Sequence, residues 1–133
     1  TTAQMMVETD LRGVDSHGIS MLPTYDKEFR AGRLNMRPQW KTVRDMPSMA
    51  RIDADRSLGH PVSAHAMNLA VDKCLATGVA VVAVYNSHHF GAAVPLDGDE
   101  RLELFGELEK GLLLPVGHID ERHRQPFAFR GAQ

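Results

Sequence analysis

Gly78-Val79-Ala80-Val81-Val82-Ala83-Val84-Tyr85 is the longest apolar run in the chain, and its reading decides the fold. Its β-branched and alanine residues, with no polar alternation, predict a strand over 79–85 buried on both faces. Upstream, Pro61 opens a helical pattern in which Val62, Ala66, Leu69, Ala70 and Leu75 share one side, and Gly78 closes it. Residues 49–53 and 40–45 read as extended, with a turn at Pro47. Strand, helix and buried strand make a right-handed βαβ crossover over residues 49–85. The loop that follows, Asn86-Ser87-His88-His89-Phe90-Gly91, then lies at the carboxyl end of a strand, where open α/β sheets bind ligands.

Toward the N-terminus, Ala3 to Arg12 reads as the end of a helix, with Gly13 just beyond it. Ile19, Leu22, Tyr25 and Phe29 recur at helical spacing and predict a second, amphipathic helix ending at Gly32. Pro23 fits the first turn of that helix if Ser20 is its cap. The fold class is α/β, an N-terminal helical part followed by the βαβ unit. Residues 94–133 are expected to form an acidic helix, to about Leu114, and a poorly specified tail.

A chain of 133 residues with 43% hydrophobic and 24% charged residues is the size and make-up of one folded domain. Net charge of −2 argues against binding a nucleic-acid backbone, which needs a basic surplus. No apolar run is long enough to span a membrane, and no signal peptide is visible, so a cytoplasmic protein is expected. One cysteine, Cys74, excludes an internal disulfide, and its place on the apolar side of a predicted helix reads as core. Charge is uneven: residues 1–26 and 97–110 are acidic, whereas 27–56 carry eight bases against four acids. The basic middle is either a solvated face or a partner for an anionic ligand.

The histidines are the main candidates for chemistry. His17 follows Ser16 in a tight polar loop, where a hydroxyl on one ring nitrogen leaves the other to exchange a proton. The plain alternative is a capping loop with a surface histidine. Of the adjacent His88 and His89, one is expected to face inward and one solvent. His60 and His65 stand five apart on different helix faces, so they form no two-histidine metal pair. His118 and His123 repeat that spacing without a completing carboxylate or cysteine, and no metal is assigned. The eleven glycines never fall in a G-x-G-x-x-G or Walker spacing, and no G-x-S-x-G elbow occurs.

Asp10-Leu11-Arg12-Gly13-Val14-Asp15-Ser16-His17-Gly18-Ile19 resembles the N-terminal motif of the malate/L-lactate dehydrogenase type 2 family. The resemblance continues through Leu22-Pro23-Thr24-Tyr25, Ala31 to Asn35, Ile52 to Asp55, Leu58 to Pro61 and Gly78-Val79, ending at Asn86 to Ala93. It implies an incomplete version of that non-Rossmann fold, consistent with the missing glycine fingerprint. It also implies an oxidoreductase transferring hydride between NAD or NADP and a small 2-keto, 2-hydroxy or cyclic imino carboxylate. By the same resemblance, His17 is the proton donor with Ser16 beside it. His89, Phe90, Gly91, Ala92 and Ala93 line the cofactor pocket, and His89 also meets the substrate. The family commonly has arginine where Met21 stands, so Arg12, or Arg30, is the candidate for the substrate carboxylate. A homodimer is implied, with no nucleic-acid or membrane partner.

After Ala93 the likeness thins, and 94–114 resembles the family's C-terminal end only faintly. The length is therefore expected to be a shortfall, an internal deletion or a gene fragment, with an N-terminus that starts inside a helix. An incomplete sheet predicts marginal stability or oligomerisation. The alternative to an enzyme is a catalytically inactive remnant acting only through protein association. A metal-binding module, resting on seven histidines alone, is the weakest reading.

Overall fold

Two parallel strands joined by one long helix form the centre of the structure, a computed structural model describing residues 2–92 and the strands Leu104–Leu108 and Leu112–His118. Strands β1 (Lys41–Met46) and β2 (Met49–Ser57) pair antiparallel from Lys41 opposite Asp53 to Met46 opposite Met49, around the turn that Pro47 marks. Helix α3 (Gly59–Thr77) then carries the chain to β3 (Val79–Ser87), which runs parallel to β2 with Met49 opposite Val81 and Asp53 opposite Tyr85. Gly78, at φ 83°, ends α3 by donating its N–H to the Cys74 carbonyl at 2.7 Å. Only a residue without a Cβ takes that left-handed conformation at no cost.

The core lies between the sheet and α3. Ala50, Ile52 and Ala54 of β2 and Val82 and Val84 of β3 meet Val62, Ala66 and Ala70 of the helix. Alanines on the helix let its axis approach the sheet closely, and each fully buried Val or Ile stabilises the fold by about 1.5–3 kcal/mol. Burial along β3 alternates: Ala80, Val82 and Val84 are buried, while Val81, Ala83 and Tyr85 are only half-buried. The expectation of a strand buried on both faces is thus corrected. Among the described residues α3 covers one face of the sheet and no helix covers the other.

Helix α1 (Thr2–Leu11) ends before Gly13, which sits at φ 78°. Helix α2 (Leu22–Arg30) is preceded by a single 3-10 turn, Ile19–Met21, and followed by Gly32 at φ 71°. Ser20 is not its cap. The Ser20 hydroxyl donates to the Asp15 carbonyl, the Asp10 carboxylate accepts the Ile19 N–H at 3.0 Å, and Met21 holds the cap position. Only Tyr25 of the expected apolar face is buried, packed with Met6 and Leu34, while Ile19, Leu22 and Phe29 stay more than half exposed.

The acidic helix expected within residues 94–114 is also corrected. β4 (Leu104–Leu108) and β5 (Leu112–His118) extend the sheet in the order β1-β2-β3-β5-β4, with β5 antiparallel to β3. Gly106, Gly111 and Pro115 oppose a helix there, and the edge of β3 offers unpaired backbone groups. The rest of 93–133, including the expected tail, lies outside the described residues. Among the described residues no helix is long and apolar enough to cross a membrane.

Candidate active site

The loop after β3 is clamped onto the start of α3. His88 donates its backbone N–H to the Ser57 carbonyl at 2.8 Å, and Gly59 donates its own to the His89 carbonyl at 3.0 Å. A Cβ on Gly59 would run into Phe90 and the His88 carbonyl, so the close approach requires glycine. His88 is half-buried with Nε2 on the Arg33 carbonyl at 2.8 Å, so neither it nor the equally half-buried His89 is turned out to solvent. The split of one inward and one outward histidine is not what the loop adopts, because both rings find partners on neighbouring segments.

The turn between α1 and the 3-10 helix is set by Asp10. Its carboxylate fills the space where a Gly18 Cβ would lie and holds the Ile19 N–H. This places His17 against the β3 loop. Its ring stacks on that of His89 with centroids 5.4 Å apart and planes 30° apart. Ser16 Oγ lies 2.8 Å from His17 Nδ1.

Two further side chains complete the cluster. Tyr25 places its hydroxyl 2.8 Å from His89 Nδ1, which also receives the Gly91 N–H at 3.2 Å. Tyr25 meets the His60 ring edge-on at 5.8 Å. His60 is 1% exposed, and neither ring nitrogen has a hydrogen-bond partner among the described residues. Burial, then the nearby His89, pushes its pKa down to about 4, so it is uncharged at neutral pH. Burial pushes the Tyr25 phenol up to about 12, so it keeps its proton.

Ser16, His17, His89, Phe90 and Gly91 are therefore brought to one place, with the half-buried Ala92 next in line. Ala93 lies outside the described residues. Arg12 is exposed just after α1, and Arg30 pairs with Asp26 at 2.7 Å. Sequence reasoning missed Tyr25 and His60. Tyr25 and His60 lie in stretches that carry the family resemblance, but neither is given a role in the site there. No group of three or more His, Cys, Asp or Glu among the described residues could hold a metal ion.

Comparison with known proteins identifies the family and the fold. The malate/L-lactate dehydrogenase family model matches residues 1–96. An L-sulfolactate dehydrogenase of Methanocaldococcus jannaschii is 44% identical over 92 residues, which is 69% of this chain and 27% of that protein. A malate dehydrogenase of Pyrococcus abyssi is 41% identical over 91 residues, 68% of this chain and 25% of that one. The solved structure of the Methanocaldococcus jannaschii sulfolactate dehydrogenase superposes with a TM-score of 0.68 at 43% identity, covering 69% of this chain and 27% of that one. The chain thus spans about a quarter of the length of these relatives. The matched residues carry the α1–α2 turn, the βαβ unit and the histidine loop alike, and the chain belongs to the malate/L-lactate dehydrogenase family.

Proposed function

We propose that these residues are the substrate end of a dehydrogenase moving hydride between NAD or NADP and a small 2-keto, 2-hydroxy or cyclic imino carboxylate. The observation that carries this reading is the His17–His89 stack with Ser16 on His17 Nδ1, at the carboxyl end of β3. Relatives are named for malate, sulfolactate and hydroxycarboxylates. A Δ1-piperideine-2-carboxylate reductase of Pseudomonas syringae shares the fold, with a TM-score of 0.55 at 32% identity.

The residues present fit a flat ring beside the imidazoles. Gly91 has no side chain, Ala92 has only a methyl, and Phe90 offers a half-buried aromatic face. His89 to Ala93 would hold the cofactor, and a nicotinamide supplies the hydride to the carbonyl or imine carbon when bound. His17 supplies the proton. With Ser16 Oγ accepting from Nδ1–H, the imidazolium hands its Nε2 proton to the developing alkoxide or amine. Arg12, four residues before Ser16 at an exposed helix end, is the candidate for the substrate carboxylate. The family's fold is read here as a cytoplasmic homodimer.

A second reading, association without catalysis, is favoured by exposed apolar side chains such as Leu11 at 81% and Phe29 at 52%. One experiment separates the two. The purified chain is titrated with NADH and NADPH by fluorescence, then assayed for their oxidation with pyruvate, oxaloacetate and Δ1-piperideine-2-carboxylate. Saturable binding with turnover supports the dehydrogenase. Absence of both leaves association.

A further inference from the structure

His17 and His89 are both placed to exchange a proton, yet their surroundings differ in one decisive way. Ser16 Oγ on His17 Nδ1 is a hydroxyl, which accepts from a protonated nitrogen and donates to a bare one. His17 is therefore accommodated in either charge state. His89 is not, because its Nδ1 receives a backbone N–H from Gly91 at 3.2 Å, and an amide N–H only donates.

At Gly91 φ is 84°, and a Cβ added there would lie 2.7 Å from His60 Nε2, so the backbone passes close to the His60 ring. The Tyr25 hydroxyl reaches the same His89 nitrogen at 2.8 Å and, buried to 6% exposure, is fixed edge-on against His60. Among the described residues, the titratable groups seen to face His89 are His17 from the α1–α2 turn, Tyr25 from α2 and His60 from α3. An imidazolium at His89 would set N–H against N–H at Gly91. It would also stack a second charge on a protonated His17.

We propose that Tyr25 is a positioning residue: with the Gly91 amide it holds His89 as the neutral tautomer protonated on Nε2, so that the exchangeable proton resides on His17. Only the assignment of that proton to substrate rests on the dehydrogenase reading. The tautomer does not.

The test is nitrogen-15 NMR of the imidazoles in the labelled full chain, with His17→Gln and His89→Gln spectra giving the assignments. The expected spectrum at neutral pH shows His89 Nδ1 with the shift of a bare nitrogen and Nε2 with that of a protonated one. Tyr25→Phe keeps the ring against His60 but removes the hydroxyl. With the Gly91 amide still on Nδ1, the variant is expected to populate the other His89 tautomer as a minor species. A parent His89 with its proton on Nδ1, or with both nitrogens protonated at neutral pH, overturns the proposal. So does a Tyr25→Phe spectrum identical to the parent. If that variant fails to fold, the parent spectrum decides alone. Absence of turnover would count against the dehydrogenase and leave these signals as they are.

Discussion

The ring of His17 lies stacked on that of His89, one brought by the turn after α1 and the other by the loop after β3. Neither segment is regular structure, and each is fixed by other means. Asp10 pins the first through the Ile19 N–H, and Gly59 pins the second through the His89 carbonyl. The histidine pair thus rests on two locked turns placed by helices and a sheet.

His60 makes stability depend on pH. Its pKa in the folded chain is about 4, below the ordinary 6.5, so the unfolded chain binds a proton that the folded chain refuses. Stability is expected to be intact above pH 6.5 and to fall as pH drops from there toward 4. The loss is on the order of 1–2 kcal/mol once solvent screening is allowed for. Urea midpoints at pH 7 and pH 4.5 measure it, and His60→Phe is expected to reduce the difference. An equal drop in that variant would place the effect elsewhere.

Gly91→Ala combines a strained φ of 84° with a Cβ placed 2.7 Å from a buried ring nitrogen. The expected cost is about 1–3 kcal/mol in denaturant unfolding. Gly13→Ala supplies the control, since φ is also positive there but no atom lies within 4 Å of the added Cβ. The Gly91 variant should lose more than the Gly13 variant. Equal losses would mean that contact with His60 contributes nothing.

Much of this was legible in the sequence. Pro61, Gly78 and the run to Tyr85 gave away the βαβ unit, and α3 and β3 follow it with ends shifted by about two residues. The Ser16-His17 and His89-Phe90-Gly91 motifs stood out as candidates, and the His17 and His89 rings meet. What failed was non-local. Ser20 looked like a cap because the competing acceptor, Asp10, belongs to the preceding helix. Tyr25 touches His89 across 64 residues, a separation that helical periodicity cannot register. The Leu104–Leu108 segment reads as helix by its charges but pairs as a strand, since pairing along a sheet edge is decided by the neighbour.

Ile52 of β2 is fully buried in the core that β2 and β3 form with α3. Ile52→Ala is expected to cost about 2–5 kcal/mol and Ile52→Val about 0.5–1.5 kcal/mol. In a sheet covered by one helix on one side, the alanine variant should lose its cooperative thermal transition while the valine variant keeps it. An alanine variant that melts like the parent would contradict this view of the core.

In the proposed reaction His17 delivers the proton. The most direct measurement is the rate of NADH or NADPH oxidation with the best 2-keto acid, in the parent chain and in His17→Ala. The expected result is turnover by the parent and a loss of about 10²- to 10⁴-fold in kcat for the variant. Turnover that His17→Ala leaves unchanged would contradict the account.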